Sequence, residues 1–154
     1  MLRIFIAFAL MTAPTVALAA GEMAVVSEMF VEKTMPAPGG KTKTVLVVAK
    51  SGPPGTRLVF THSYRNTTRT PLPNFGMTNP MPAGVEYLGS DDANAIVSVD
   101  GGKSWGALAA LKVPGAAGVL RPARPEDVTH VRWKLAVPVP PGGTGKFSFR
   151  GIVK

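Results

Sequence analysis

The chain contains no cysteine among its 154 residues. Disulfides, zinc sites with thiolate ligands and thiol catalysis are therefore excluded together. Histidine is nearly as scarce, because only His62 and His130 occur. The motifs Gly-x-Ser-x-Gly, the Walker loop and His-Glu-x-x-His are missing as well. These absences predict a protein that is not an enzyme and that holds no cofactor.

Long apolar runs are also missing, except at the N-terminus. Arg3 precedes an apolar run from Ile4 to Met11, and Ala17-Leu18-Ala19 has the small-x-small pattern of a cleavage site. The run is short for a membrane span. We therefore expect a signal peptide at residues 1–19 and a single domain at residues 20–154, with no transmembrane segment after cleavage. The expected location is the periplasm, the cell surface or the extracellular space.

Acidic residues are few, with 9 Asp and Glu against 17 Lys and Arg and a formal net charge of +8. An exported basic domain is attracted to polyanions such as lipopolysaccharide, anionic lipid or extracellular DNA. The basic residues are scattered and form no dense run, so the charge also fits a domain that stays soluble and protects its sheet edges. No motif specific to nucleic-acid recognition is present.

Helical periodicity is weak throughout, and the best candidate, Leu108 to Val113, is too short to form a stable helix. The 17 Gly and 15 Pro residues lie between short apolar runs, which is typical of all-β domains. The spacing predicts a sandwich of antiparallel sheets with about seven to nine strands. The expected strands are Ala24 to Thr34, Thr42 to Lys50, Pro54 to Asn66, Phe75 to Thr78, Val85 to Leu88, Ala95 to Val99, Val128 to Val137 and Lys146 to Val153.

Period-2 alternation predicts which side chains face the core in three of these strands. In Pro54 to Asn66 the inward residues are Leu58, Phe60, His62 and Tyr64, with Val59, Thr61, Ser63 and Arg65 on the other face. In Val128 to Val137 they are Val131, Trp133, Leu135 and Val137, opposite His130, Arg132 and Lys134. In the last strand they are Phe147 and Phe149. The stretch from Gly106 to Glu126 is expected to be irregular.

Four basic residues lie close in sequence and could form a polyanion-binding face. Arginine makes bidentate contacts with phosphate and carboxylate groups, which favours this chemistry. The alternative is a solvated sheet face on which Glu126 and Asp127 are the local partners. The four candidates are Arg121, Arg124, Arg132 and Lys134.

A second motif, Ser98 to Trp105, fits the Asp-box pattern S-x-D-x-G-x-[ST]-[WF]. Its aspartate accepts backbone N–H groups across a glycine-rich hairpin while the tryptophan packs against the turn. The box recurs in sialidase-like propellers, but this chain has one copy and is too short for a propeller. The motif therefore predicts a structural hairpin held by Ser98, Asp100, Gly102 and Trp105.

Other candidates for chemistry are weaker. His62 and His130 could form a metal site with Asp91 or Asp92, but nothing in their spacing requires it. Adjacent strand residues point to opposite faces, so the two aspartates do not form a glycosidase pair, and we interpret them as turn residues. The sequence therefore predicts no metal site. The glycosylation pattern that begins at Asn66 is interpreted as a coincidental match.

Three groups of residues resemble a known family. The first is a Pro-Gly turn before an aromatic strand that ends in Asn (Pro54, Gly55, Phe60, Tyr64, Asn66). The others are a Pro-x-Pro-x-Gly turn before a Tyr strand (Pro80, Pro82, Gly84, Tyr87) and a terminal Gly-x-x-Gly-x-Phe-x-Phe (Gly142, Gly145, Phe147, Phe149). The chain is similar to the bacterial surface-repeat domain known as domain of unknown function 11, in a single-copy exported form. The resemblance implies an immunoglobulin-like sandwich in the envelope and no catalytic residues.

Together these features indicate a non-enzymatic envelope or cell-surface protein that acts by protein or surface-polymer contact. Recognition through a sheet edge would use main-chain hydrogen bonds for affinity and side-chain pockets for specificity. The alternatives are a periplasmic assembly factor that lends a strand to a client, for which Val45 to Ala49 is the candidate edge, and a binder of lipopolysaccharide or extracellular DNA. The expected partner is an envelope protein, an anionic polymer or a second copy of the chain.

Overall fold

The computed structural model of the protein describes residues 22–154, so the predicted signal peptide at residues 1–19 lies outside the described residues. Every strand pairing is antiparallel. Within the described residues no helix is long and apolar enough to cross a membrane. The prediction of an all-β antiparallel sandwich is confirmed. The strands are β1 (Met23–Ala37), β2 (Lys41–Val48), β3 (Arg57–Asn66), β4 (Gly76–Pro80), β5 (Val85–Gly89), β6 (Ala95–Ser98), β7 (Lys112–Pro114), β8 (Leu120–Pro122), β9 (His130–Lys134) and β10 (Thr144–Val153).

The strands form two packed sheets and a short ribbon. The large sheet has the order β2-β1-β3-β10-β5, the small sheet has the order β4-β9-β6, and β7 and β8 form a two-stranded ribbon. The two sheets together have eight strands, which agrees with the expected seven to nine strands of the sandwich. The ribbon was not expected and lies in the stretch that was predicted to be irregular, because three-residue strands that end in Pro carry no readable alternation.

An aromatic core joins the two sheets. Trp133 of the small sheet is fully buried and stacks on Phe147 of the large sheet, with ring centroids 5.4 Å apart. Phe149 stacks on Phe60 of the neighbouring strand at 4.6 Å. Offset stacking of this kind adds to the free energy gained from burying the rings. The core explains why β3, β9 and β10 have the clearest alternation in the chain.

Val59 was placed on the outer face, and it is buried there because Phe30 of β1 and Arg150 of β10 flank it in register. One detail of the alternation was wrong. Val137 was expected in the core but is 68% exposed, because β9 ends at Lys134 and the chain turns before Val137. Leu135 packs against the core as expected.

The first hairpin extends beyond the rest of the large sheet. β1 pairs with β3 only as far as Val31, whereas β1 and β2 remain paired from Phe30 to the turn at Pro38–Gly40. Gly39 and Gly40 have φ angles of 75° and 69°, a left-handed conformation that suits glycine in tight hairpin turns. We call the part that has only two strands, residues 32–46, the arm.

Candidate functional site

The outer face of the small sheet collects positive charge. None of its three strands contains an acidic residue. Because Trp133 and Val131 point into the core, the alternate residues of β9 point outward, and these are His130, Arg132 and Lys134. The residues paired with Arg132 on either side are Thr78 of β4 and Ile96 of β6. The face therefore has a basic strand at its centre.

The Asp-box hairpin begins on this face, at the end of β6. The Ser98 hydroxyl donates to Asp100 Oδ1 at 2.8 Å and accepts the backbone N–H of Gly102 at 2.8 Å. Asp100 also accepts the backbone N–H groups of Lys103 and Ser104 at 3.0 and 2.9 Å. Ser98 is fully buried beneath this turn although it lies on the outer face. One serine and one aspartate thus satisfy most of the turn's backbone donors.

Hydrogen bonding determines the charge of this turn. The Ser104 hydroxyl donates to Asp100 Oδ2 at 2.6 Å, and this bond with the backbone bonds lowers the pKa of Asp100 well below its usual range. The aspartate is therefore ionised over the whole physiological range. The carboxylate accepts its hydrogen bonds from donors of its own hairpin.

Trp105 ends the Asp box and lies over the basic strand. Its indole Nε1 donates to the carbonyl of Gly102 at 2.9 Å, which fixes the ring against the turn. The guanidinium carbon of Arg132 lies 3.6 Å from the centroid of the ring, and the His130 ring packs edge-on at 6.2 Å. The box therefore places an aromatic platform beneath a cation, which is a cation–π contact.

Arg132 is held in place and is not neutralised. Its Nε donates to the Thr78 hydroxyl at 3.0 Å. Among residues 22–154, no carboxylate lies within ion-pair distance of Arg132 or of Lys134. A guanidinium fixed on one face by a ring and at Nε by a hydroxyl keeps its terminal N–H groups for another acceptor. Planar two-point contact with a carboxylate or a phosphate is the chemistry that this geometry suits.

An open recess of about 270 Å³ lies beside these two cations. Its polar lining includes Asn74, Thr78, Arg132 and Lys134. Asn74 has a φ of 56°, and it is the one residue other than glycine with a positive φ in the described part of the chain. Asparagine tolerates this left-handed conformation better than most residues, and such positions concentrate at functional sites. The recess could accommodate one anionic group next to Arg132.

The other two predicted cations are engaged elsewhere. Arg121 makes two hydrogen bonds of 2.7 Å to the Asp127 carboxylate, which lowers the pKa of Asp127. Arg124 lies 3.7 Å from Glu126 in an exposed ion pair. The acidic neighbours therefore partner this half of the predicted set. The other half, Arg132 and Lys134, shares a strand face and has no acidic partner in the stretch 22–154.

A second depression, of about 490 Å³, lies on the outer face of the large sheet between Arg65 and Lys146. Among residues 22–154, no ring or hydrogen bond fixes either of these cations. Its lining is largely apolar and includes Ala24 and Val26. We therefore place the candidate site at Arg132, where the charged group is held in position.

The remaining candidates occupy separate places. His62 is buried in the large sheet, whereas His130 lies on the outer face of the small one. Asp91 forms an ion pair with Arg150 at 2.6 Å, and Asp92 accepts the backbone N–H of Ser148 at 2.8 Å. Within residues 22–154, no three His, Asp or Glu side chains form a group that could hold a metal ion.

Two structural roles were missed by sequence reasoning. Asn66 is 1% exposed, and its amide donates to the carbonyls of Thr70 and Val139 at 2.9 Å, so it joins two loops. Arg150 bridges Asp91 and Glu32 across the large sheet, and its pKa is raised by both carboxylates. The sequence has a glycosylation pattern at Asn66, but that pattern does not predict the buried position in which Asn66 joins two loops.

Comparison of the chain with family models, with curated proteins and with solved structures finds no match.

Proposed function

We propose that the protein is a non-enzymatic domain, exported to the envelope or cell surface, that acts by binding an anionic surface polymer. The observation that carries the proposal is the Arg132 guanidinium stacked on Trp105 and held by Thr78, with no acidic partner among the described residues. The resemblance to domain of unknown function 11, with its immunoglobulin-like sandwich, supports the same surface location.

Binding would proceed by displacement of water from the recess beside Arg132. A phosphate or carboxylate of the polymer would accept the terminal N–H groups of Arg132, and Lys134 would contribute a second charge on the same strand face. Binding would cost little side-chain entropy at Arg132, because Trp105 and Thr78 already hold its guanidinium in one orientation. Charge elsewhere on the chain would raise the rate of encounter more than the affinity.

The test is a titration of the full chain with purified lipopolysaccharide, before and after removal of its phosphates. We expect Arg132→Gln and Lys134→Gln each to weaken binding, Arg132→Gln by about tenfold or more, as expected for the loss of hydrogen bonds to a charged group. Arg124→Gln removes the same charge from a position already paired with Glu126, so it is the matched control and should have little effect. Binding should also weaken steeply as salt is raised.

Equal weakening by all three substitutions would contradict the proposal, because it would mean that net charge alone attracts the polymer. Unchanged affinity for the dephosphorylated polymer would mean that carboxylates of the polymer, and not its phosphates, are the groups that bind. Absence of binding at low salt, to polymers with either group, would overturn the proposed function.

A second candidate function is the assembly factor that lends a strand to a client. The observation that favours it is the position of β2 at the edge of the large sheet, since this strand contains Val45 to Val48 of the predicted stretch. Recovery of a single client protein by a photo-cross-linker placed at Leu46 would support it, and recovery of none would contradict it.

A further inference from the structure

The second half of the edge strand β2 lacks the protection that the other sheet edges have, because Lys41 and Lys43 both lie in its first half. β4, β5 and β6 have four or five residues each, β4 ends at Pro80, and β5 contains Glu86. β2 has eight residues, and its second half is wholly apolar. Leu46, Val47 and Val48 are 51%, 41% and 67% exposed. Long apolar edges of this kind pair with other strands unless a charge, a proline or a bulge prevents it.

The arm also lacks a third strand. Among the described residues, residues 32–37 of β1 pair only with β2, because the pairing of β1 with β3 ends at Val31. An isolated two-stranded hairpin is marginally stable in water, and three or more strands are normally needed. Met35, at the far end of the arm, is 47% exposed. The arm is therefore a segment that another strand would stabilise.

We propose that this strand is β2 of a second copy of the chain, paired antiparallel about a two-fold axis at Val45. One isologous contact would give both arms the strands that they lack and would join the two large sheets into a continuous sheet. Each copy would present the same surface, so no other partner is required. The proposal is independent of the polymer site, which lies on the small sheet.

Charge placement selects the register. In an antiparallel pair, opposed residues share a face, so a two-fold axis must centre on one residue opposite itself. An axis at Val45 puts Lys43 opposite Val47 of the second copy. The two Lys43 side chains then lie about 13 Å apart along the strand, which is more than the Debye length of about 8 Å at physiological salt. An axis at Thr44 would bring the two Lys43 side chains to about 7 Å, and an axis at Leu46 would pair fewer residues.

The mass of the full chain in solution is the first measurement, by sedimentation or light scattering over a wide range of concentration. We expect a dimer that Leu46→Lys dissociates, because the two new charges would lie about 7 Å apart on neighbouring strands. Leu88→Lys makes the same change at an exposed position of β5, the opposite edge of the same sheet, and should leave the dimer intact. Circular dichroism would verify that both variants are folded.

The absence of cysteine allows a direct test of the register. Val45→Cys would place two thiols opposite each other, close to the separation that a disulfide needs. Oxidation should give a disulfide-linked dimer quickly with Val45→Cys and slowly with Thr44→Cys, Leu46→Cys and Leu88→Cys. A monomer at all concentrations would overturn the proposal, as would a dimer unaffected by Leu46→Lys or a monomer that captures a foreign strand at β2.

Discussion

His62 is buried in the core with only half of its hydrogen-bonding capacity satisfied. Its Nδ1 lies 2.8 Å from the Ser27 hydroxyl, whereas its Nε2 has no partner within residues 22–154. The indole Nε1 of Trp133 also has no hydrogen-bond partner within residues 22–154, and the centroids of the two rings lie 5.7 Å apart. Unpaired buried polar atoms cost free energy of folding. The sequence predicted His62 inside, but it could not predict which ring nitrogen would find a partner.

Burial lowers the pKa of His62 from its ordinary value near 6.5. The unfolded chain therefore binds a proton at a higher pH than the folded chain does. Above pH 6.5, His62 is neutral in both the folded and the unfolded chain, and the protein keeps its full stability. Between pH 6.5 and the lower pKa of the folded chain, the free energy of unfolding falls as the pH falls, by at most about 1.4 kcal/mol per pH unit.

We expect His62→Phe to reduce this acid sensitivity, because the variant removes the titrating group and keeps a ring of similar size. Urea unfolding between pH 7 and pH 5 measures it. His130→Gln, which removes the other histidine from an outer face, is the control and should keep the sensitivity of the parent. An unchanged pH dependence in His62→Phe would show that other groups cause it.

The Asp-box hairpin depends on Ser98 more than on its exposed residues. The Ser98 hydroxyl both donates to Asp100 and accepts from Gly102, and the residue is fully buried. Ser98→Ala should therefore lower the free energy of unfolding by about 1–3 kcal/mol, the cost of leaving the half-buried Gly102 N–H and the Asp100 carboxylate without this partner. Denaturant unfolding measures the loss, and faster amide exchange at Gly102 locates it.

Ser104→Ala is the matched control for this prediction. The Ser104 hydroxyl also bonds to Asp100, but it is exposed, so water can replace the lost hydrogen bond. We expect a smaller loss of stability than with Ser98→Ala. Equal losses in the two variants would mean that burial of Ser98 does not determine the stability of the hairpin.

Period-2 alternation predicted β3 and β10 well because both lie at the centre of the large sheet with one face in the core. It missed β7 and β8, which have three residues each, and it extended β9 too far, to Val137. It also could not show that β1 continues for six residues after its pairing with β3 ends at Val31. Register between strands is decided by tertiary pairing, which a local pattern does not contain.

The candidate site was predictable in parts and not as a whole. The sequence singled out Arg132 and Lys134 for charge and Trp105 for the Asp box, as two unrelated features. Their contact arises because the hairpin after β6 folds over β9, the neighbouring strand. Thr78 and Asn74 had no sequence signal, since a hydroxyl and an amide in loops and short strands are common.

At the scale of the whole molecule, the two sheets have one core between them. Trp133 comes from the small sheet, and its ring neighbours Phe147 and Phe149 come from the large sheet. Neither sheet can bury its aromatic side chains without the other. Small domains built on one such core unfold in a single cooperative step.

We expect the two sheets to unfold together, and the fluorescence of Trp133 provides a local probe of the small sheet. In a Trp105→Phe background, Trp133 is the sole tryptophan. Its denaturation midpoint should coincide with that of the far-ultraviolet dichroism, to which the large sheet contributes most of the strand residues. Phe149→Ala should shift both midpoints equally, with a loss of about 3–5 kcal/mol. Separate midpoints would contradict the shared core, because they would show that one sheet persists when the other has unfolded.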